Sequence, residues 1–248
     1  MLILIEFLFR LSFGLSLSMA VTSPRQVTSG YYRNHLYVLL GLNVLAMLVA
    51  LAAPEQFELW PPLAGACLSY AGAVAWLYAK PRAGIALLLL VAIAGLAGAW
   101  LAKPQPILTS NAAAALRWLD APTSGLLLGS TLAAMFLGHW YLNTPTMELA
   151  PLRRLVLLMG GAVIARAVVC GAGLAMQFDY AGMPQPAFVG LRWLSGLFGA
   201  LALTIMTWKI LRIPNTQSAT GILYVGVIAV FLGELTSQLL SARTWFPV

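Results

Sequence analysis

Two imidazoles are the side chains here whose type and placement could do chemistry. His35 and His139 are the only histidines, and each falls in a different apolar segment. Threaded through a bilayer, both sit about one helical turn, roughly 5 Å, inside the same membrane face. Two imidazoles at one depth could clamp the iron of a haem b as its axial ligands. They could instead flank a quinone head-group, offering a hydrogen bond at each carbonyl and a group that exchanges protons near neutral pH. The third reading is two interfacial histidines bonded to neighbours or water. Trp140 and Tyr141, which follow His139, would then be part of an aromatic belt.

The surroundings of His139 read Gly138-His139-Trp140-Tyr141-Leu142-Asn143. Thr131, Met135, His139 and Asn143 share one helix face by their four-residue spacing, and Gly138 leaves room for a planar group. Arg25 and Arg33 adjoin His35 and are expected to pair with haem propionates or an anionic quinol intermediate. The expected cofactor-binding set is therefore His35, His139, Trp140, Tyr141, Arg33 and Arg25. If haem binds, His35 and His139 are the metal ligands.

A second set of polar residues lies where a bilayer would be driest. An ionisable group at the bilayer centre costs at least about 2.5–3.5 kcal/mol, so it faces the bundle interior and has a partner. Glu6 precedes Arg10 by four residues, the favourable order for a helical ion pair. Arg166 and Glu234 each fall about 20 Å from the histidine face by helical rise, so they are expected to meet across their helices. Such a pair either locks helix packing or lines a polar track for protons or an anion, which Thr236, Ser237 and Gln238 would extend.

The elements that hold these groups follow from composition. The chain is 61% hydrophobic and 8% charged, with a mean hydropathy of +0.88. Ordinary globular chains carry about 25% charged residues, so no water-soluble surface can be built from this one. Eight apolar segments stand out, at about 2–21, 32–53, 61–79, 83–101, 122–143, 152–177, 187–210 and 219–241. About 20 residues at 1.5 Å each span a hydrocarbon core of roughly 30 Å. Prolines punctuate the junctions, among them Pro24, Pro54, Pro81, Pro104, Pro106, Pro145, Pro151, Pro184, Pro186 and Pro214. The expected fold is all-α: one integral membrane domain over 1–248, with about eight transmembrane helices.

The first twenty residues end in Ser18-Met19-Ala20, which looks like a signal-peptide cleavage site. They lack a basic n-region and contain Glu6 and Arg10, so a retained helix is expected. Eight positive residues gather on one face: Arg25, Arg33, Lys80, Arg82, Arg153, Arg154, Lys209 and Arg212. The face with the termini has four, Lys103, Arg117, Arg192 and Arg243, diluted by Glu55, Glu58, Asp120 and Asp179. The positive-inside bias puts both termini outside, on the periplasmic side of a bacterial inner membrane. The long connection 102–121 would carry a short interfacial helix over 112–119, capped by Ser110-Asn111 and anchored by Trp118. Trp60, Trp193 and Trp245 fall near the outer boundary; Trp76, Trp140 and Trp208 fall near the inner one. Cys67 and Cys170 lie in apolar segments and read as packing residues. Small residues recur at close-packing spacing, as in Gly125 with Gly129 and Gly196 with Ala200. No internal repeat is visible.

The net charge of +7 reads as topology signal and lipid contact rather than nucleic-acid binding. There is no nucleophile elbow, HExxH or phosphate-binding loop, so a stand-alone enzyme is not expected. In helix count and outward termini the chain resembles the eight-helix quinol-oxidising anchors of the polysulfide and dimethyl sulfoxide reductases. That resemblance is one of topology and implies a membrane subunit working with partner subunits. The expected function is such a subunit of a respiratory electron-transfer complex, binding quinone, haem b or both. The alternatives are a small proton-coupled permease, disfavoured by the lack of an inverted repeat, and a cofactor-free structural or assembly subunit.

Overall fold

Apolar runs of this length leave their backbone no partner but itself, so helices form. The computed structural model describes residues 1–52, 54–55, 57–102, 110–144, 147–213 and 215–248. Helix is their only regular structure, with no β-strand among the described residues. The elements are α1 (Leu2–Val21), α2 (Ser29–Leu51), α3 (Trp60–Leu77), α4 (Pro81–Leu101), α5 (Asn111–Asn143) and α6 (Ala150–Ala181). Then come α7 (Pro186–Leu191), a π-helical stretch (Arg192–Gly199), α8 (Ala200–Arg212) and α9 (Thr216–Ser241). Seven spans are long and apolar enough to cross a bilayer, α7 to α8 counting as one. The eighth, α3, has 18 residues and opens on Trp60-Pro61-Pro62, which lowers its hydropathy. It packs lengthwise between α2 and α4.

Two helices differ from the rest. In α1 and α5, 78% of the most apolar window is buried, against 33–44% in the other spans. These two form the centre. Around α1 the neighbours run α1–α2–α3–α4 and back to α1; around α5 they run α5–α6–α8–α9 and back to α5. The bundle is therefore two four-helix rings of the same order, joined along α1 and α5. No repeat is visible in the sequence because this one resides in contact order, not in residue identity.

Glycines let the two central helices touch. A methyl group on Gly129 would overlap the Gly14–Leu15 backbone, and one on Gly125 would lie 2.6 Å from the Arg10 carbonyl oxygen. Close approach of this kind maximises dispersion contact where lipid supplies no hydrophobic drive.

The separate interfacial helix expected over 112–119 is not formed. Ser110 does cap a helix, its side chain accepting from the Ala113 amide at 3.2 Å, but that helix continues unbroken to Asn143. Pro122 lies inside it. A proline leaves the carbonyl four residues earlier unbonded, and the Trp118 carbonyl finds the Trp100 indole N–H at 3.3 Å instead. Because that carbonyl has a partner, the helix survives its proline. Lys103, Pro104, Pro106, Pro145 and Pro214 lie outside the described residues.

Replacing Gly129 with alanine should destabilise the bundle by about 1–3 kcal/mol, the usual cost of overpacking. Gly161→Ala is the control, since a methyl there meets nothing within 4 Å. Thermal melting in detergent reads both; equal melting temperatures would show that the α1–α5 seam tolerates extra volume.

Candidate functional site

The most polar place among the described residues is a chain of six acidic and basic side chains in alternation, buried inside the bundle. Arg10 Nη2 bridges Glu6, one turn earlier, and Asp120 Oδ2 of α5 at 2.6 Å. Asp120 Oδ1 accepts from Arg166 Nη1 of α6 at 2.7 Å. Arg166 holds Glu234 of α9 with two nitrogens, Nε to Oε1 at 3.1 Å and Nη2 to Oε2 at 3.0 Å. Arg192 Nη2 closes the chain on Glu234 Oε1 at 2.9 Å. Ser124 donates to Glu234 Oε2 at 2.6 Å, and Arg166 Nη2 donates to Ser237 Oγ at 3.2 Å. All six groups are at most 8% exposed.

Among the described residues of this chain, three guanidiniums face three carboxylates. That is how a membrane interior tolerates them, each member meeting an opposite charge at hydrogen-bond distance. Arg166 is the hub because its planar fork can serve a carboxylate on either side. It lies 16 residues from the start of α6 and Glu234 lies 18 from the start of α9, so the layer is about 24–27 Å from the histidine end of the bundle.

Asp120 and Arg192 were expected to be loop charges on the face with the termini; both are buried members of this chain. Asp120 was placed outside the membrane because the apolar segment read from the sequence begins only at residue 122, whereas the helix starts at Asn111. At Arg192 the missed feature is the π-helical stretch, whose wider turn begins at that residue. The spacing Arg192 to Gly196 was the available signal. A methyl on Gly196 would lie 2.6 Å from Arg192 Nη1, so the glycine makes the space that the guanidinium fills.

At the other end, the structure turns the two histidines toward different neighbours. His35 is buried, its Nδ1 donating to the Tyr31 carbonyl at 2.6 Å. Its ring lies 4.4 Å from Phe136 and 4.4 Å from Tyr31, with Trp140 at 6.3 Å. His139 is exposed and faces the α9 side, where the Tyr224 hydroxyl lies 3.3 Å from its Nδ1. Gly138 does not leave room for a planar group, because a methyl on it would sit 2.8 Å from Thr220 Oγ1 of α9. Of the shared face, Thr131 and Met135 are buried while His139 and Asn143 are exposed.

Trp140 and Tyr141 are occupied in closing turns. The Trp140 indole donates to Thr28 Oγ1 at 3.0 Å, and the Tyr141 hydroxyl donates to the Glu148 carbonyl. Arg25 is exposed in the turn after α1, and Arg33 is half-buried on α2. Neither hydrogen-bonds to a histidine among the described residues. The pair left open to a ligand is His139 with Tyr224, which is 44% exposed. One turn before Tyr224, Gly221 has open space where a side chain would be.

No protein-family model, curated protein or solved structure matches this chain, so its chemistry rests on its own residues.

Removing Arg166 as Arg166→Ala should cost about 3–5 kcal/mol, because Glu234 and Asp120 would lose their shared cation in a dry interior. A double-mutant cycle of Arg192→Ala with Glu234→Ala should give a coupling of about 0.5–3 kcal/mol. Additive losses in denaturant or thermal unfolding would mean that the Arg192–Glu234 contact contributes nothing.

Proposed function

We propose that this chain is a quinone-reactive membrane subunit of an electron-transfer complex, with the quinone head-group held at His139 and Tyr224. The observation that carries this reading is the placement of an imidazole and a phenol on neighbouring helices, 3.3 Å apart, at the surface a bilayer covers. By helical rise from Asn143 and Thr216 they lie about 6 and 12 Å inside the bundle end. A quinone arrives from the lipid and needs hydrogen-bond partners at that level, together with a group that accepts a proton from the quinol. Imidazole does the second task and the tyrosine hydroxyl the first. The electrons pass to a redox centre of a partner subunit.

A bis-histidine haem draws less support, since the rings of His35 and His139 engage different neighbours. His35 in this reading is a packing residue that joins α2 to α5.

Protein extracted with its native lipids should co-purify with quinone, measured by solvent extraction and chromatography. Tyr224→Phe should lower that retention several-fold and His139→Ala should lower it further. Both side chains are exposed, so the variants are expected to fold. Unchanged quinone content in both would sink the proposal.

One observation favours a second reading, a proton or anion path through the ionic chain. Among the described residues, Nε and Nη1 of Arg10, Nε and Nη1 of Arg192 and both amide atoms of Gln238 are buried without a partner. Buried donors of this kind are satisfied by internal water. If that water conducts, proteoliposomes with an entrapped pH dye should show a proton leak that Gln238→Leu abolishes. A flux equal to that of empty liposomes would remove this reading.

A further inference from the structure

The ring around α5 has an open flank between α6 and α8, and its lining points to a specific occupant. A groove of about 320 Å³ runs between the two helices. Leu157, Gly160, Gly161 and Ile164 line it from α6, and Leu201 and Ile205 from α8. Trp208 lines its end and also lines a second, polar recess walled by Arg153 and Arg212. The two cavities therefore adjoin at Trp208, and together they form an apolar groove beside a cationic recess.

We infer that this feature binds a single anionic phospholipid, its phosphate at Arg153 and Arg212 and one acyl chain along the α6–α8 groove. Four observations argue for that occupant. The first is length. From Arg153 to Ile164, and from Arg212 back to Leu201, is eleven residues of helix. That is about 16 Å, the depth of one leaflet of a roughly 30 Å core.

The second is charge. Neither Arg153 nor Arg212 makes an ion pair among the described residues. Arg153 is steadied at the recess by donating to the Leu211 carbonyl at 2.7 Å, next to Arg212 in the chain. The third is the adjacent glycines. A methyl on Gly161 would meet nothing, and one on Gly160 would only touch Thr204 at 3.4 Å. Unlike Gly14 and Gly129, these glycines do not serve helix contact. Each costs about 1 kcal/mol of helix propensity relative to alanine, and together they keep the groove open.

The fourth separates a lipid from a second copy of the chain. A two-fold contact through this face would bring two Arg153 and two Arg212 side chains together, a like-charge cluster with no carboxylate at the recess. An anionic headgroup answers the same cations, and Trp208 sits at the level where indoles meet headgroups. This inference does not depend on the quinone reading.

Native mass spectrometry of the detergent-solubilised protein, titrated with dioleoylphosphatidylglycerol or dioleoylphosphatidylcholine, tests it. Wild type should hold one phosphatidylglycerol in preference to phosphatidylcholine. Arg212→Gln should weaken that adduct about fivefold, the factor one basic residue contributes at an anionic headgroup. Gly161→Leu, which fills the groove and leaves both arginines, should weaken it independently; Arg212→Gln covers the case in which this variant misfolds. Equal affinity for the two lipids, phosphatidylglycerol binding unchanged in both variants, or displacement by millimolar inorganic phosphate would overturn the inference. A dimer that excludes lipid and is broken by Gly161→Leu would overturn it too, and make the face an interface between copies.

Discussion

The structure depends on the neutralisation of charge in a dry interior. Six ionised groups could not stay buried singly, so their partners fix where four helices and the π-helical stretch must stand relative to one another. Glu6 and Arg10 come from the first ring; Asp120, Arg166, Arg192 and Glu234 come from the second. The link between rings is the Arg10–Asp120 bond, which exists only because α1 and α5 approach to glycine distance at Gly14, Gly125 and Gly129. The ionic chain and the glycine seam are two halves of one constraint. Apolar packing alone would let the rings slide along each other, because lipid and side chains are equally apolar; the ion pairs forbid that slip.

The same constraint explains two departures from regular helix geometry. Helix α5 runs through Pro122 because the Trp100 indole takes the freed carbonyl of Trp118. Continuing the helix across that point brings Asp120 into the bundle. The π-helical stretch at Arg192–Gly199 does the corresponding service for Arg192. A wider turn reorients one side chain without ending the span, and Gly196 opposite Gly233 provides the clearance. Each irregularity places one charge.

These features mark where the sequence was readable. Eight apolar segments, the Ser110 cap and the proline-marked turns could be seen because hydropathy and local chemistry are written residue by residue. The neighbourhood of Arg166 and Glu234 could be anticipated from equal depth. Depth does not give rotation, however, and rotation decides the histidines. His35 and His139 share a level yet turn to Phe136 and Tyr224 respectively. Nor could pattern place Asp120, since the apolar run begins after it and the helix continues through Pro122 with the Trp118 carbonyl bonded to Trp100 on α4. The two-ring order is equally hidden, for it is a property of which helices touch.

A bundle held this way has little freedom at its centre, which bears on where its chemistry can be. In the ionic layer each of the three arginines holds at least one carboxylate, so a reactant that displaced one would have to break charge-assisted bonds. The helix surfaces near the histidine end are different. There His139, Tyr224, Arg153 and Arg212 lie on the outside, within the depth reached by lipid-borne molecules, with space left by Gly221 near Tyr224 and by Gly161 deeper along α6. Among the described residues, the turns that join most spans are short and offer little surface to a water-soluble substrate. In the proposed reading the rigid layer sets the geometry, and exchange with membrane-dissolved partners takes place around its perimeter.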